Sequence, residues 1–136
     1  MEPITILVVE DDPSHAQLIR AVFATGLPYA QVDVASTGEE ARTYLLQRDR
    51  PTLITLDFSL PDTTGLELLE WMKEDHRVAD VPVIMFTSSS NPERVKRAYS
   101  LGAKNFLEKS ADFGRLVTAV REALGGASER ELGSSA

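Results

Sequence analysis

A doubly wound α/β domain is the fold class this sequence predicts, and three observations carry that prediction. The segments Ile4 to Val9, Leu53 to Leu56 and Val81 to Phe86 are short apolar runs without polar alternation. Strands buried on both faces have that pattern, as parallel strands covered by helices do. Each run is followed by turn residues and then by a segment with helical spacing, so strand and helix alternate five times along the chain. Crossovers this short are right-handed and require a parallel sheet with helices on both faces. Finally, charged and hydroxyl residues stand directly after the apolar runs, where open α/β sheets place their ligands.

The first strand, Ile4 to Val9, runs into Glu10-Asp11-Asp12-Pro13. Asp12 can cap a helix whose first position is Pro13, where a missing N–H does no harm. The helix should reach Thr25, bury Ala16, Ile19, Val22 and Phe23, and end at Gly26. A second strand, Ala30 to Val34, carries Gln31 and Asp33, which suit a sheet edge. Ser36 and Glu39 have the spacing of a capping box for helix two, which runs to about Gln47 with Ala41, Tyr44 and Leu45 inward. Helix three is expected from Gly65 to Lys73 with Leu66, Leu69 and Met72 buried, and Trp71 as a partly buried packing residue. Asn91 should cap a fourth helix that begins at Pro92 and stops at Gly102. Asn105-Phe106-Leu107 is a short fifth strand, and Phe113, Leu116, Val117, Val120 and Leu124 mark the last helix by their spacing. Five strands in this connectivity predict the flavodoxin-like order 2-1-3-4-5, a (βα)5 unit. Residues 125–136, rich in glycine and serine, are expected to form a flexible C-terminal tail to a single domain over 1–124.

At 136 residues the chain can bury a proper core, and 43% hydrophobic with 26% charged residues is ordinary for a globular domain. Without cysteine there is no disulfide, no thiolate nucleophile and no cysteine zinc site. His15 and His76 are too far apart in sequence to suggest a histidine metal site. A net charge of −7 argues against direct nucleic-acid binding, which leans on clustered Lys and Arg. Nothing approaches the run of about 20 apolar residues a membrane span needs. No basic leader precedes the first strand, so a cytoplasmic location is expected.

The central strand ends in Asp57, followed by a turn that Pro61 and Gly65 close. In the expected order, the ends of strands one, three, four and five lie together and deliver Glu10 and Asp11, Asp57, Thr87, and Lys109 to one rim. Crowded carboxylates repel unless a cation sits among them, and an all-oxygen site suits Mg²⁺. A divalent ion, a lysine and a hydroxyl beside an aspartate are the equipment of phosphoryl transfer, with Asp57 as nucleophile. Singly, each residue has a plainer explanation: Asp57 begins a turn, Thr87 caps a loop, Lys109 pairs with a surface carboxylate. Four such residues at successive strand ends favour a site. Asp12 is read as a cap, and His15 as an exposed helix residue without a part in the chemistry.

VVEDDP after the first strand, LDFSLPDTTG around Asp57, MFTSS after the fourth and NFLEKS around Lys109 together resemble the receiver domain of two-component response regulators, over residues 4 to 124. The resemblance implies a single-domain regulator that catalyses its own phosphorylation, with Asp57 accepting a phosphoryl group from a histidine kinase. It also implies Mg²⁺ held by Asp11, Asp57 and the backbone carbonyl of Ser59, with Glu10 acting through water. Thr87 becomes a switch hydroxyl, Lys109 a ligand of the phosphoryl oxygens and Phe106 an aromatic switch. The output would be altered partner binding through the face of helix four, strand five and helix five, near Val95, Tyr99 and Phe106, toward an unknown downstream protein. That face also suits a symmetric homodimer.

Where the family commonly has a cis proline after its lysine, this chain has Ser110, and a cis bond before such a residue costs about 3 kcal/mol. The Lys-Ser pair, the lone receiver and the long loop Asp75 to Asp80 are similar to regulators that serve bacterial phytochromes. Two other readings are a phosphate-independent adaptor, which has no need of mutually repelling acids, and an aspartyl-phosphate phosphatase, which would want a second aspartate where Ser59 stands.

Overall fold

The computed structural model describes residues 3–47, 50–88, 91–109 and 113–135, with side chains as far as Gly125. The elements alternate as expected: β1 (Ile4–Val9), α1 (Pro13–Gly26), β2 (Ala30–Ala35), α2 (Gly38–Gln47), β3 (Leu53–Leu56), α3 (Gly65–Glu74), β4 (Val83–Thr87), α4 (Pro92–Ser100), β5 (Asn105–Glu108) and α5 (Gly114–Ser135). The strands form one sheet in the order β2-β1-β3-β4-β5, and every pairing is parallel. β2 is indeed an edge strand, with Gln31 exposed.

Two apolar layers cover the sheet. On one face Leu7, Val9, Ile54, Leu56, Val83 and Met85 pack against Ala41 and Leu45 of α2, Leu68, Leu69 and Met72 of α3, and Ala98 of α4. On the other, Ile6, Val8, Leu53, Ile84 and Phe86 pack against Ile19 and Phe23 of α1 and Leu116, Val117 and Val120 of α5. Successive residues of β1 thus go to opposite layers, and the strand needs no polar positions. Trp71 is half-buried at the margin of the first layer, with the Arg42 guanidinium 5.8 Å from its ring centre.

The caps explain most boundaries. Asp12 Oδ1 accepts from the N–H groups of Ser14 (2.8 Å) and His15 (3.3 Å), and Asn91 accepts from Glu93 N–H at 2.9 Å. α4 closes in a Schellman turn: Gly102 has φ +96°, its N–H reaches Tyr99 O, and Ala103 N–H reaches Ala98 O.

Three boundaries differ from the sequence reading. The box proposed for Ser36 and Glu39 sits one residue on: Thr37 Oγ1 accepts from Glu40 N–H at 3.0 Å, and Glu40 reaches back to Ser36 N–H at 2.9 Å. Asp62, from the loop after β3, adds bonds to Gly38 and Glu39 N–H at 2.8 and 2.9 Å. β4 begins at Val83 and not Val81, because Val81 N–H is taken by Val78 O in the preceding turn. α5 continues through Gly125 to Ser135, past Leu124, the last residue of its apolar spacing in the sequence. A glycine ends a helix by turning left-handed, as Gly102 does. Among the described residues no other glycine has positive φ.

Candidate functional site

The end of β3 is where the site begins. Leu56 is the last paired residue of that strand, and Asp57 N–H continues the ladder to Val9 O at 3.1 Å. The loop then folds back, with Gly65 N–H donating to Phe58 O at 2.6 Å and Ser59 bridging to Thr64. This return is so tight that a Cβ on Gly65 would stand 2.2 Å from Asp57 O, so glycine is required there. Ser59 is exposed in this loop. β4 and β5 are joined at the same end by Lys109 N–H donating to Thr87 O at 2.8 Å.

These strand ends bring four of the expected residues into one buried group. Glu10, Asp57, Thr87 and Lys109 are at most 8% exposed, although all are polar or charged. The Lys109 ammonium donates to Asp57 Oδ2 at 2.9 Å and to Glu10 Oε1. It also stands 6.0 Å from the centre of the Phe86 ring. Burial pushes the Glu10 carboxyl above its ordinary range. The Lys109 ammonium and the Asp12 N–H oppose that rise, and the negative charge of Asp57 adds to it.

Asp11 remains exposed at the rim, and one carboxylate oxygen from each of Glu10, Asp11 and Asp57 lies within 4.8 Å of the others. Opposite ligands of an octahedral Mg²⁺ are about 4.2 Å apart, so an all-oxygen set gathered this closely suits such an ion. Asp12 stays outside the group and caps α1.

Around the carboxylates, Phe106 is half-buried against the α3–α4 layer. Tyr99, 46% exposed on α4, donates its hydroxyl to Asn105 Oδ1 at 3.2 Å and so ties α4 to β5. The Lys109–Ser110 bond lies outside the described residues.

Two neighbours of the site escaped the sequence reading. His15 is not a bystander: its Nδ1 lies 3.1 Å from Lys109 Nζ, and its ring is only one-third exposed. The available signal was its position one turn after Asp11 on α1, which carries the ring back over the strand end. Arg94 of α4 places its guanidinium 3.9 Å from the centre of the Phe58 ring, next to Asp57 in sequence. No local motif marks that contact, since the two residues meet only through the fold.

The response regulator receiver domain family matches residues 6–121 of this chain. The chain belongs to that family. This receiver is 32% identical over 114 residues to the response regulator Rcp1 of Synechocystis sp., covering 79% of this chain and 78% of that one. The crystal structure of the phosphorylated cyanobacterial phytochrome response regulator RcpA superposes with a TM-score of 0.83 at 29% identity, covering 93% of this chain and 98% of that one. The Mn²⁺-bound form of Rcp1 matches with a TM-score of 0.82 at 28% identity, covering 93% and 98%. Against some other curated regulators the receiver spans about half the relative's length, 52% and 51% in two cases.

Proposed function

We propose that this receiver, carried by residues 1–124, takes a phosphoryl group from a histidine kinase onto Asp57 and signals by changing its protein partners. The observation that supports this best is the buried ammonium of Lys109 bonded to Asp57 at the sheet's carboxyl end. A desolvated lysine held against a carboxylate has no structural need that an apolar pair would not meet better. It does suit a group that gains negative charge.

In the transfer, an Asp57 carboxylate oxygen forms the new O–P bond as the P–N bond of the kinase phosphohistidine breaks, and the imidazole leaves with the electron pair. Lys109 faces the transferred group and offsets its charge, while Thr87, at the end of β4, hydrogen-bonds one of the new oxygens. Asp11, Asp57 and the Ser59 carbonyl would hold Mg²⁺, with Glu10 acting through water. Bound there, the ion would neutralise charge on the phosphoryl oxygens.

The consequence for partners follows from mechanics. If Thr87 and Lys109 move toward new oxygens, the loops after β4 and β5 move with them. That biases the face built from α4, β5 and α5, where Val95, Tyr99 and Phe106 lie, and Phe106 is the aromatic group that follows Thr87. This face is the proposed docking surface for a downstream protein or a second copy of the chain. RcpA, similar in fold and sequence, is a phytochrome response regulator by description, which supports a bacterial phytochrome as the kinase. None of the described helices is long and apolar enough to cross a membrane, so the cytoplasm, where kinase and regulator would meet, is the proposed location.

The test is intact-mass measurement after incubation with acetyl phosphate. One added phosphate is expected with Mg²⁺ present and none after chelation. Asp57→Asn should take up none under either condition, and unchanged uptake by that variant would refute the assignment.

A further inference from the structure

The Lys109 ammonium has three N–H groups and, among the described residues, three hydrogen-bonding neighbours, the third of which is His15. Glu10 Oε1 and Asp57 Oδ2 take two of the protons. The third group within hydrogen-bond distance is His15 Nδ1, at 3.1 Å. An ammonium can only donate, so Nδ1 must present its lone pair, and the imidazole is neutral with its proton on Nε2.

The opposite assignment, a charged ring paired with acids, is disfavoured by the distances. The same nitrogen is 3.8 Å from Asp12 Oδ2 and 3.9 Å from Glu10 Oε2, both too long for hydrogen bonds. A proton on Nδ1 would instead point at the ammonium. The ring is also braced: Phe113 meets it edge-on at 6.1 Å between centres, and Phe86 meets Phe113 edge-on at 4.9 Å.

We infer that His15 is a positioning residue for Lys109, its neutral Nδ1 taking the third ammonium proton and so fixing where the positive charge stands beside Asp57. This rests on the phosphoacceptor reading of Asp57. A lysine side chain has four flexible bonds, and two carboxylates on one side would leave its head free to swing between them. A third acceptor, held on a helix and braced by aromatic rings, removes that freedom. The hydrogen bond that His15 makes within the cluster is to Lys109, so the effect assigned to it passes through that residue.

Three variants and one spectrum test this. His15→Ala should lower the rate of phosphorylation at saturating acetyl phosphate about fivefold, the worth of one hydrogen bond, with half-saturating donor unchanged. His15→Asn, whose amide oxygen stands near the place of Nδ1, should recover most of the rate. In ¹⁵N spectra of the neutral imidazoles, the Nδ1 resonance of His15 should be displaced by hydrogen bonding relative to that of exposed His76, and Lys109→Ala should abolish the displacement. A wild-type rate in His15→Ala, a shift only in half-saturating donor, or an Nδ1 resonance matching His76 would overturn the inference. If the wild-type protein takes up no phosphate at all, the phosphoacceptor reading fails, and the Nδ1 resonance alone then decides whether His15 holds Lys109.

Discussion

The two ends of the sheet handle charge in opposite ways. At the carboxyl end, Glu10, Asp57 and Lys109 form a buried cluster with each side chain no more than 7% exposed. At the amino end, the loop before β4 carries Asp75 bonded three times to Arg77, and Arg50 bonds Asp80 directly at the surface, with Arg50 52% and Asp80 71% exposed. Exposed pairs of that kind organise a loop at little energetic consequence, since water screens them and competes for them. Buried carboxylates beside one ammonium are costly to desolvate and are kept where chemistry needs them. The contrast separates a site from a surface without reference to motif, and the Glu10 and Asp75 carboxyls show it. Burial pushes Glu10 up, whereas hydrogen bonds from the Arg77 side chain and backbone hold Asp75 down at about 2.

The sharpest way to break the comparison is Lys109→Ala. It leaves two buried carboxylates facing each other without a cation, and should cost about 3–5 kcal/mol in metal-free denaturant unfolding. Added Mg²⁺ should restore much of that loss, since an ion that binds only the folded state stabilises it by mass action. A variant as stable as the parent without metal would mean the cluster is not desolvated as described.

Gly65→Ala comes next. Its Cβ would meet Asp57 O at 2.2 Å and Phe58 Cα at 3.1 Å, both backbone atoms that cannot rotate away. About 1–3 kcal/mol of stability should be lost, together with slower phosphorylation because Asp57 itself is displaced. Normal kinetics in a folded variant would show that the return of the loop does not set the acceptor.

The two carboxyls predict opposite pH slopes. Glu10 binds its proton more tightly folded than unfolded, so its contribution to stability falls as pH rises above its ordinary 4.5 toward the raised folded value. Asp75 binds its proton less tightly when folded. Its contribution is present above the ordinary 3.8 and is lost as pH falls through about 2. Urea unfolding across this range should show Glu10→Gln flattening the higher slope and Asp75→Asn the acid slope; the reverse assignment would contradict the account. The smallest effect belongs to Arg50→Ala, which should leave the melting temperature unchanged within error, since its partner is largely solvated.

What could be read from the chain beforehand follows the same division. Asp57 and Lys109 were legible because an apolar run that stops at a charge is a local pattern, and topology then gathers such stops. Asp12 and Asn91 were legible as caps for the same local reason. Asp62, capping α2 from 24 residues away, was not, because nothing near Gly38 in sequence points to it. His15, read as exposed, is one-third exposed and faces Lys109; its spacing from Asp11 pointed back to the strand end but not to the neighbour it meets there. The last helix passes through Gly125 and Gly126, because composition marks where a helix can stop, while the backbone angle decides whether it does.

The central claim is that the carboxyl end of the sheet is a phosphoryl acceptor with Asp57 as the bonded residue. Borohydride trapping tests it most directly, since hydride reduces an acyl phosphate to an alcohol at the modified side chain. After reaction with acetyl phosphate and Mg²⁺, peptide mapping should find the reduced residue at position 57, and phosphate uptake should vanish when the ion is withheld. A reduced residue at Asp11 or Glu10, or no trapped product from protein that has gained phosphate, would contradict it.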